Sequence, residues 1–190
     1  DIAPYYMILG NHDMNLKNSG RLDAISPIAD NINHPNLHFH KYSEVIEVAD
    51  GIDLHVLSIV DPENWQEALP EDRTNIDMET LEKYDYALLG DIHKTDQKID
   101  NDGRARYPGS LVQQNHGESN DKGYLIWNIE DKSNFDTRHV SLINPKAFIT
   151  IELTRKGRMP KNAEIPAGAR LRLVSNNNLP LDVMKRAVDI

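Results

Sequence analysis

Residues 5–13 read Tyr5-Tyr6-Met7-Ile8-Leu9-Gly10-Asn11-His12-Asp13. Five apolar or aromatic residues run unbroken into a glycine and then into three polar side chains. Such a run predicts a short strand buried on both faces, and a parallel one, because parallel strands are covered by helices on each side. Glycine lets the chain turn sharply at the strand end, and Asn, His and Asp all tolerate turn geometry. A second stretch repeats the plan: Ala87-Leu88-Leu89-Gly90-Asp91-Ile92-His93. In α/β proteins ligand sites lie just beyond the carboxyl ends of the strands. The two stretches together predict an α/β fold and mark where its chemistry sits.

Outward from the first strand, the pattern is mixed. The strand opens the sequence with no element before it, so further chain is expected upstream of Asp1. Apolar residues at Leu22, Ile25, Ile28 and Ala29 predict a helix over 19–32, capped by Ser19 and kinked or split at Pro27. Leu37-His38-Phe39 predicts a brief strand, and Glu44 to Val60 a hairpin turned at Asp50-Gly51. One or two helical turns are expected over 62–68, a short helix over 77–83 and a second buried strand over 86–89. Asn101-Asp102-Gly103 reads as a turn, with strands following over 123–130 and 135–142. Asn144-Pro145 marks a boundary that divides residues 1–144 from 145–190. Beyond it come a strand over 147–154, a loop to Gly168, a strand over 169–174 and an amphipathic helix over 181–188. That order is the start of a small α/β unit.

Composition narrows the function classes. The 190 residues include no cysteine, which excludes a disulfide scaffold, a thiolate metal site and a cysteine nucleophile. No apolar run reaches the roughly 18 residues of a membrane span, and Asp1-Ile2-Ala3-Pro4 lacks a basic leader. A soluble, cytoplasmic protein with no membrane contact is the expectation. The formal net charge is −9. Nucleic-acid binding by bulk electrostatics needs the opposite sign, so any such role rests on a local site, a bound metal or a partner subunit.

Asp91 and His93 are two positions apart, so in locally extended chain their side chains point the same way. They offer a carboxylate and an imidazole to one centre, and Asn11 adds an amide oxygen. A nitrogen and oxygen set without thiolate suits Mn, Mg, Fe or Zn in a hydrolytic site. Each residue also has a plain reading: Gly10 to Asp13 as an ordinary turn, Asp91 as a helix cap, His93 as a surface residue. A four-residue word such as Gly-Asn-His-Asp arises by chance in on the order of one chain in a thousand of this length, which favours the joint reading.

Gly10-Asn11-His12-Asp13 resembles the Gly-Asn-His-Asp/Glu signature of the calcineurin-like metallophosphoesterases. Gly90-Asp91-Ile92-His93 resembles their later Gly-His-x-His signature, with Asp91 where His is usual. Tyr107-Pro108-Gly109-Ser110-Leu111, then Gln113 to Glu118 and Lys122-Gly123-Tyr124, is similar to the SbcD-type DNA-repair and recombination nucleases of bacteria and phages. The likeness covers most of residues 5–130, and the tail from Ala147 resembles, more weakly, the start of that family's DNA-capping domain. The resemblance implies a two-sheet sandwich flanked by helices, present in part, and two divalent metal ions, Mn first and Mg, Fe or Zn as alternatives. It implies that Asn11 and Asp91 bind the second ion and His93 the first. His12 is then the group facing the scissile phosphate, a donor to the leaving oxygen of a type whose unperturbed pKa near 6.5 makes both protonation states reachable. Two ions in such a site activate water and neutralise phosphate charge.

The implied activity is metal-dependent DNA phosphodiester hydrolysis, exo- or endonucleolytic. DNA is the implied substrate, an SbcC-type ATPase the partner and a homodimer one form of assembly. The alternatives are a metallophosphoesterase acting on a small phosphodiester or phosphoprotein, and a truncated, non-catalytic module that keeps DNA or partner contacts. The family's Asp-x-His and Gly-Asp motifs precede its Gly-Asn-His-Asp and are not in this sequence. Its lone His ligand has no counterpart over 65–77, and His55 in the predicted hairpin is a poor substitute. Part of a two-metal centre is therefore expected, binding metal weakly and not turning over alone. His34, His38 and His40 read as surface residues before a metal site, His116 as a structural loop residue before a neighbour of DNA, and Lys94, Arg104 and Arg106 as solvated surface charge before contacts to phosphates.

Overall fold

In a computed structural model of the chain, the residues described are 3–15, 17–18, 21–65 and 78–187. They form a mixed α/β structure of several small sheets and few helices. The chain divides into two compact units, Asp1–Asp91 and Ile92–Ile190. This division is one of compactness, and the domain boundary at residues 144/145 stays an expectation from sequence.

In the first unit, β1 (Tyr5–Ile8) pairs in parallel with β2 (Leu37–His40), Tyr5 opposite Leu37 and Ile8 opposite His40. The predicted parallel strand forms, but it is not buried on both faces. Leu9 beyond its end is buried, whereas Tyr5 and Ile8 are 61% and 52% exposed. Among the described residues β2 is the strand bonded to β1, and a two-stranded ribbon covers little of its own surface.

The crossover carries α1 (Ser26–Ile32). Of the helix expected over 19–32, Ser19 lies outside the described residues and 21–25 are not helical. Pro27 sits in the first turn, where its missing N–H costs nothing, so it starts the helix rather than kinking it. Asp23 organises the entry. Its Oδ1 accepts from the Ile25 and Ser26 amides at 2.9 and 2.5 Å, and its Oδ2 from Ser26 Oγ at 2.7 Å and Lys41 Nζ at 2.8 Å.

The hairpin follows as predicted: β3 (Glu44–Ala49) runs antiparallel to β4 (Ile52–Val56), and Gly51 takes the left-handed φ of 70° that the tight turn requires. Behind it a buried polar knot replaces apolar core. The Asp61 carboxylate accepts from the Ser43 amide and hydroxyl, and Trp65 Nε1 donates to the Ser58 carbonyl at 2.6 Å. A 3-10 turn spans Pro62–Asn64, and the rest of the helical stretch expected there lies outside the described residues. The short helix α2 (Met78–Leu81) and the short strand β5 (Ala87–Leu88) bring the chain to Gly90-Asp91.

In the second unit, β6 (Gln97–Lys98) and β7 (Ala105–Tyr107) form a small antiparallel pair too short to read from sequence. Asp100 closes their turn, its carboxylate accepting from the amides of Gly103, Arg104 and Ala105. The two expected strands form as β8 (Gly123–Ile129) and β9 (Phe135–Ser141), and they pair in full antiparallel register. The tail gives the predicted strand–loop–strand–helix: β10 (Phe148–Glu152) and β11 (Arg170–Val174) are parallel, and α3 spans Leu181–Lys185. Ala147, Ile151, Leu153 and Ala187 are the buried apolar residues of this part.

Candidate functional site

The loop after β1 is a four-residue turn locked from both ends. The Asp13 amide donates to the Gly10 carbonyl at 3.1 Å, and the Gly10 amide donates back to Asp13 Oδ2 at 2.8 Å. Asp13 is thus the clasp, and Asn11 and His12 are the two corner residues, both exposed. The plain reading of these residues as a turn is what the structure shows. The turn is the device that lifts Asn11 and His12 off the end of the strand.

Asn11 finds a distant partner. Its amide nitrogen donates to Asp91 Oδ1, although 80 positions separate the two residues. A carboxylate oxygen can only accept, so the amide NH₂ faces Asp91 and the amide oxygen is left for another ligand. Asp91 is held with φ +76°, left-handed backbone that a non-glycine residue adopts at a cost and that Asn and Asp tolerate best. The conformation turns the chain sharply at the strand end, so Asp91 is a turn residue and not a helix cap.

His93 belongs to the second unit and is half-buried. Its Nδ1 lies 3.0 Å from Glu118 Oε1. Glu118 also accepts from Asn115 Nδ2 at 2.9 Å and from the Gln114 amide at 3.1 Å, and Lys122 Nζ stands 3.3 Å from its Oε2. Burial raises the Glu118 pKa, and the hydrogen bonds from His93, the Gln114 amide and Lys122 outweigh it, so the net shift is downward. Lys122, only 2% exposed, donates at 2.6 Å to the His93 carbonyl, and the Ser110 amide reaches the same carbonyl at 3.3 Å. Sequence reasoning quoted Glu118 and Lys122 within the family-like segment but gave them no role. Their separations of 25 and 29 positions from His93 hide the contact, and no local pattern announces it.

The remaining polar residues sort differently. Arg106 is buried, with Nε and Nη2 on Asp96 Oδ1 at 2.8 and 2.5 Å and Nη1 on Thr137 Oγ1. The expectation of a solvated surface charge fails there, because the ion pair and hydroxyl satisfy the guanidinium inside. Arg104 caps the Lys132 carbonyl and stacks 5.6 Å over Phe135. His38 and His40 both stack on Tyr6, at 4.9 and 5.9 Å, and His40 Nδ1 meets Glu44 at 2.7 Å. His34 accepts locally from the Asn36 amide, His55 packs edge-on to Tyr84, and His116 packs edge-on to Phe148. Lys94 is exposed.

In kind, these donors fit a divalent ion: an amide oxygen beside a carboxylate in the first unit, and an imidazole with its Nε2 uncommitted in the second. In number they fall short. Among the described residues no group of three or more His, Asp or Glu side chains is placed to hold a metal ion.

Against curated proteins, the chain is 29% identical over 211 aligned positions, 93% of its length, to an uncharacterized protein of Acanthamoeba polyphaga mimivirus. It spans 15% of that relative's length. No family model matches the chain. No solved structure gives a significant match.

Proposed function

We propose that the chain carries part of a divalent-metal phosphodiesterase centre of the SbcD nuclease type, with DNA as its substrate. The observation that carries this reading is the hydrogen bond from Asn11 to Asp91. Two strand-end motifs that resemble the paired metal signatures of one family meet across 80 positions, at the one pair of residues assigned to a shared ion. The left-handed backbone at Asp91 supports it, since strain of this sort gathers at functional sites.

In this reading Asn11 Oδ1 and the Asp91 carboxylate would hold one ion, and His93 Nε2 would hold another. Bound divalent ions supply Lewis-acid charge and an activated water to phosphate chemistry. The chain's own residues position and protonate. The Gly10–Asp13 turn holds Asn11 beside Asp91, and His12, exposed at the adjacent corner, donates a proton to the departing sugar oxygen. A net charge of −9 is compatible with a phosphodiester substrate because the ions provide the local positive charge. Replacing His by Asp at position 91 favours harder cations such as Mn²⁺ or Mg²⁺.

The test is cleavage by the full-length protein of single- and double-stranded DNA with Mn²⁺, set against a small phosphodiester. Mn²⁺-dependent DNA cleavage supports the nuclease reading. Cleavage of the small ester alone assigns the metallophosphoesterase alternative. No Mn²⁺ binding in calorimetry assigns the non-catalytic module.

A further inference from the structure

We propose that Glu118 is a positioning residue: it fixes the His93 ring in the Nδ1–H form and so presents the Nε2 lone pair to a divalent cation. The proposal rests on the phosphodiesterase reading for the identity of the ligand, and on geometry alone for the state of the ring.

A neutral imidazole has one donor and one acceptor nitrogen, and the partner of one decides the role of the other. At His93 the partner of Nδ1 is Glu118 Oε1, 3.0 Å away. The oxygen is committed as an acceptor, since it also takes a hydrogen bond from Asn115 Nδ2 at 2.9 Å. The other oxygen is equally occupied, by the Gln114 amide at 3.1 Å and the Lys122 ammonium at 3.3 Å. The Lys122 ammonium and the Gln114 amide on Oε2, with the Asn115 amide on Oε1, favour the ionised carboxylate, which can only accept. The proton between the two residues therefore sits on Nδ1, and Nε2 keeps its lone pair. A carboxylate–histidine pair of this form is how proteins orient an imidazole toward a metal.

The backbone of His93 is fixed by the same group. Lys122 Nζ bridges Glu118 Oε2 and the His93 carbonyl, which it reaches at 2.6 Å. Ring and carbonyl are thus held by one closed circuit of Glu118, Lys122 and His93. Burying an ammonium such as Lys122 is expensive unless it is paired, and this circuit is what pairs it. Gln113 anchors the loop from behind, donating through Nε2 to the Glu118 carbonyl at 2.8 Å and to the Phe148 carbonyl at 3.0 Å, and accepting from the Phe148 amide at 2.8 Å. Loop 113–122 therefore acts as the support of His93.

Two readouts test this. The first is the tautomer of His93 in the metal-free protein, read from its two ring ¹⁵N shifts. Nδ1–H in wild type is expected, with a shift toward Nε2–H in Glu118→Ala. An Nε2–H ring in wild type would overturn the proposal, and this reading needs no variant to fold. The second is Mn²⁺ affinity by calorimetry. A loss of about 10- to 100-fold is expected in Glu118→Ala, and a smaller loss in Glu118→Gln, whose amide oxygen can still accept from Nδ1. Equal affinity in wild type and both variants would overturn the proposal while leaving the phosphodiesterase reading standing. The converse is also distinguishable: Nδ1–H in wild type with no Mn²⁺ binding at all sinks the phosphodiesterase reading, and with it the cation half of this proposal, but not the assignment of the ring.

Discussion

Asp91 holds a backbone conformation that few residue types accept, and it does so while meeting Asn11. Asp91→Asn keeps tolerance of that conformation and removes only the charge. Stability should change by no more than about 0.5 kcal/mol, while Mn²⁺ affinity falls at least about tenfold; thermal melts and calorimetry on one sample check both. His12 is exposed at its turn, so His12→Ala should leave the melt unchanged. Removing a proton donor costs about 10²–10⁴ in kcat. Metal binding should persist in that variant, and loss of metal would mean that His12 has been given the wrong role. His93→Ala should instead weaken the metal directly. At this scale the turn geometry was legible where it is written into adjacent letters. Gly10 to Asp13 reads as a turn and forms one, and the chain bends at Asp91 after Gly90. Glu118 and Arg106 were not legible, because the role of each is set by a partner that only folding brings near: His93 for one, Thr137 for the other.

Among the elements, those that local turn chemistry defines were predicted best. Asp50-Gly51 fixed the β3–β4 hairpin, and the alternating runs fixed β8 and β9. The start of α1 was misread because Leu22 and Ile25 mimic helical spacing, while Asp23, 4% exposed, caps the chain just after Leu22. Burial raises the Asp23 pKa, but Lys41 and the amide and hydroxyl donors of 25–26 outweigh it and hold the carboxyl well below the usual carboxylate range. A depressed folded pKa means that this stabilisation is complete above the unfolded value near pH 4 and drains away as pH falls through the folded one. Asp23→Ala should cost about 2–3 kcal/mol at pH 7 and should flatten the acid limb of the stability profile below about pH 4, measured by denaturant melts across pH. Gly109 makes a parallel case beside His93. It sits at φ +89°, and a Cβ there would stand 2.8 Å from the Thr95 Cα. Gly109→Ala should therefore lose about 1–3 kcal/mol in a thermal or denaturant melt, and an unchanged midpoint would contradict the packing described.

At the level of the whole molecule, the mixed α/β class was legible in the sequence, and the short β6–β7 pair was not. The burial of β1 and β5 was overestimated, since an apolar run reports what a strand can bury and not how many neighbours cover it: Ile8 and Leu88 are both more than half exposed. The net charge of −9 carries a prediction of its own. With no bulk positive field to release counterions, DNA association should depend on divalent cations far more than on ionic strength. Chelator should abolish binding in a fluorescence-anisotropy titration, and DNA binding that persists in chelator would place the contact elsewhere. The central claim is that Asn11, Asp91 and His93 are donors to divalent ions, and paramagnetic Mn²⁺ reports donors directly. Adding substoichiometric Mn²⁺ to isotope-labelled protein should broaden the signals of Asn11, Asp91 and His93 first, ahead of the other exposed carboxylates. Broadening that begins at other acidic residues and spares these three would contradict the account.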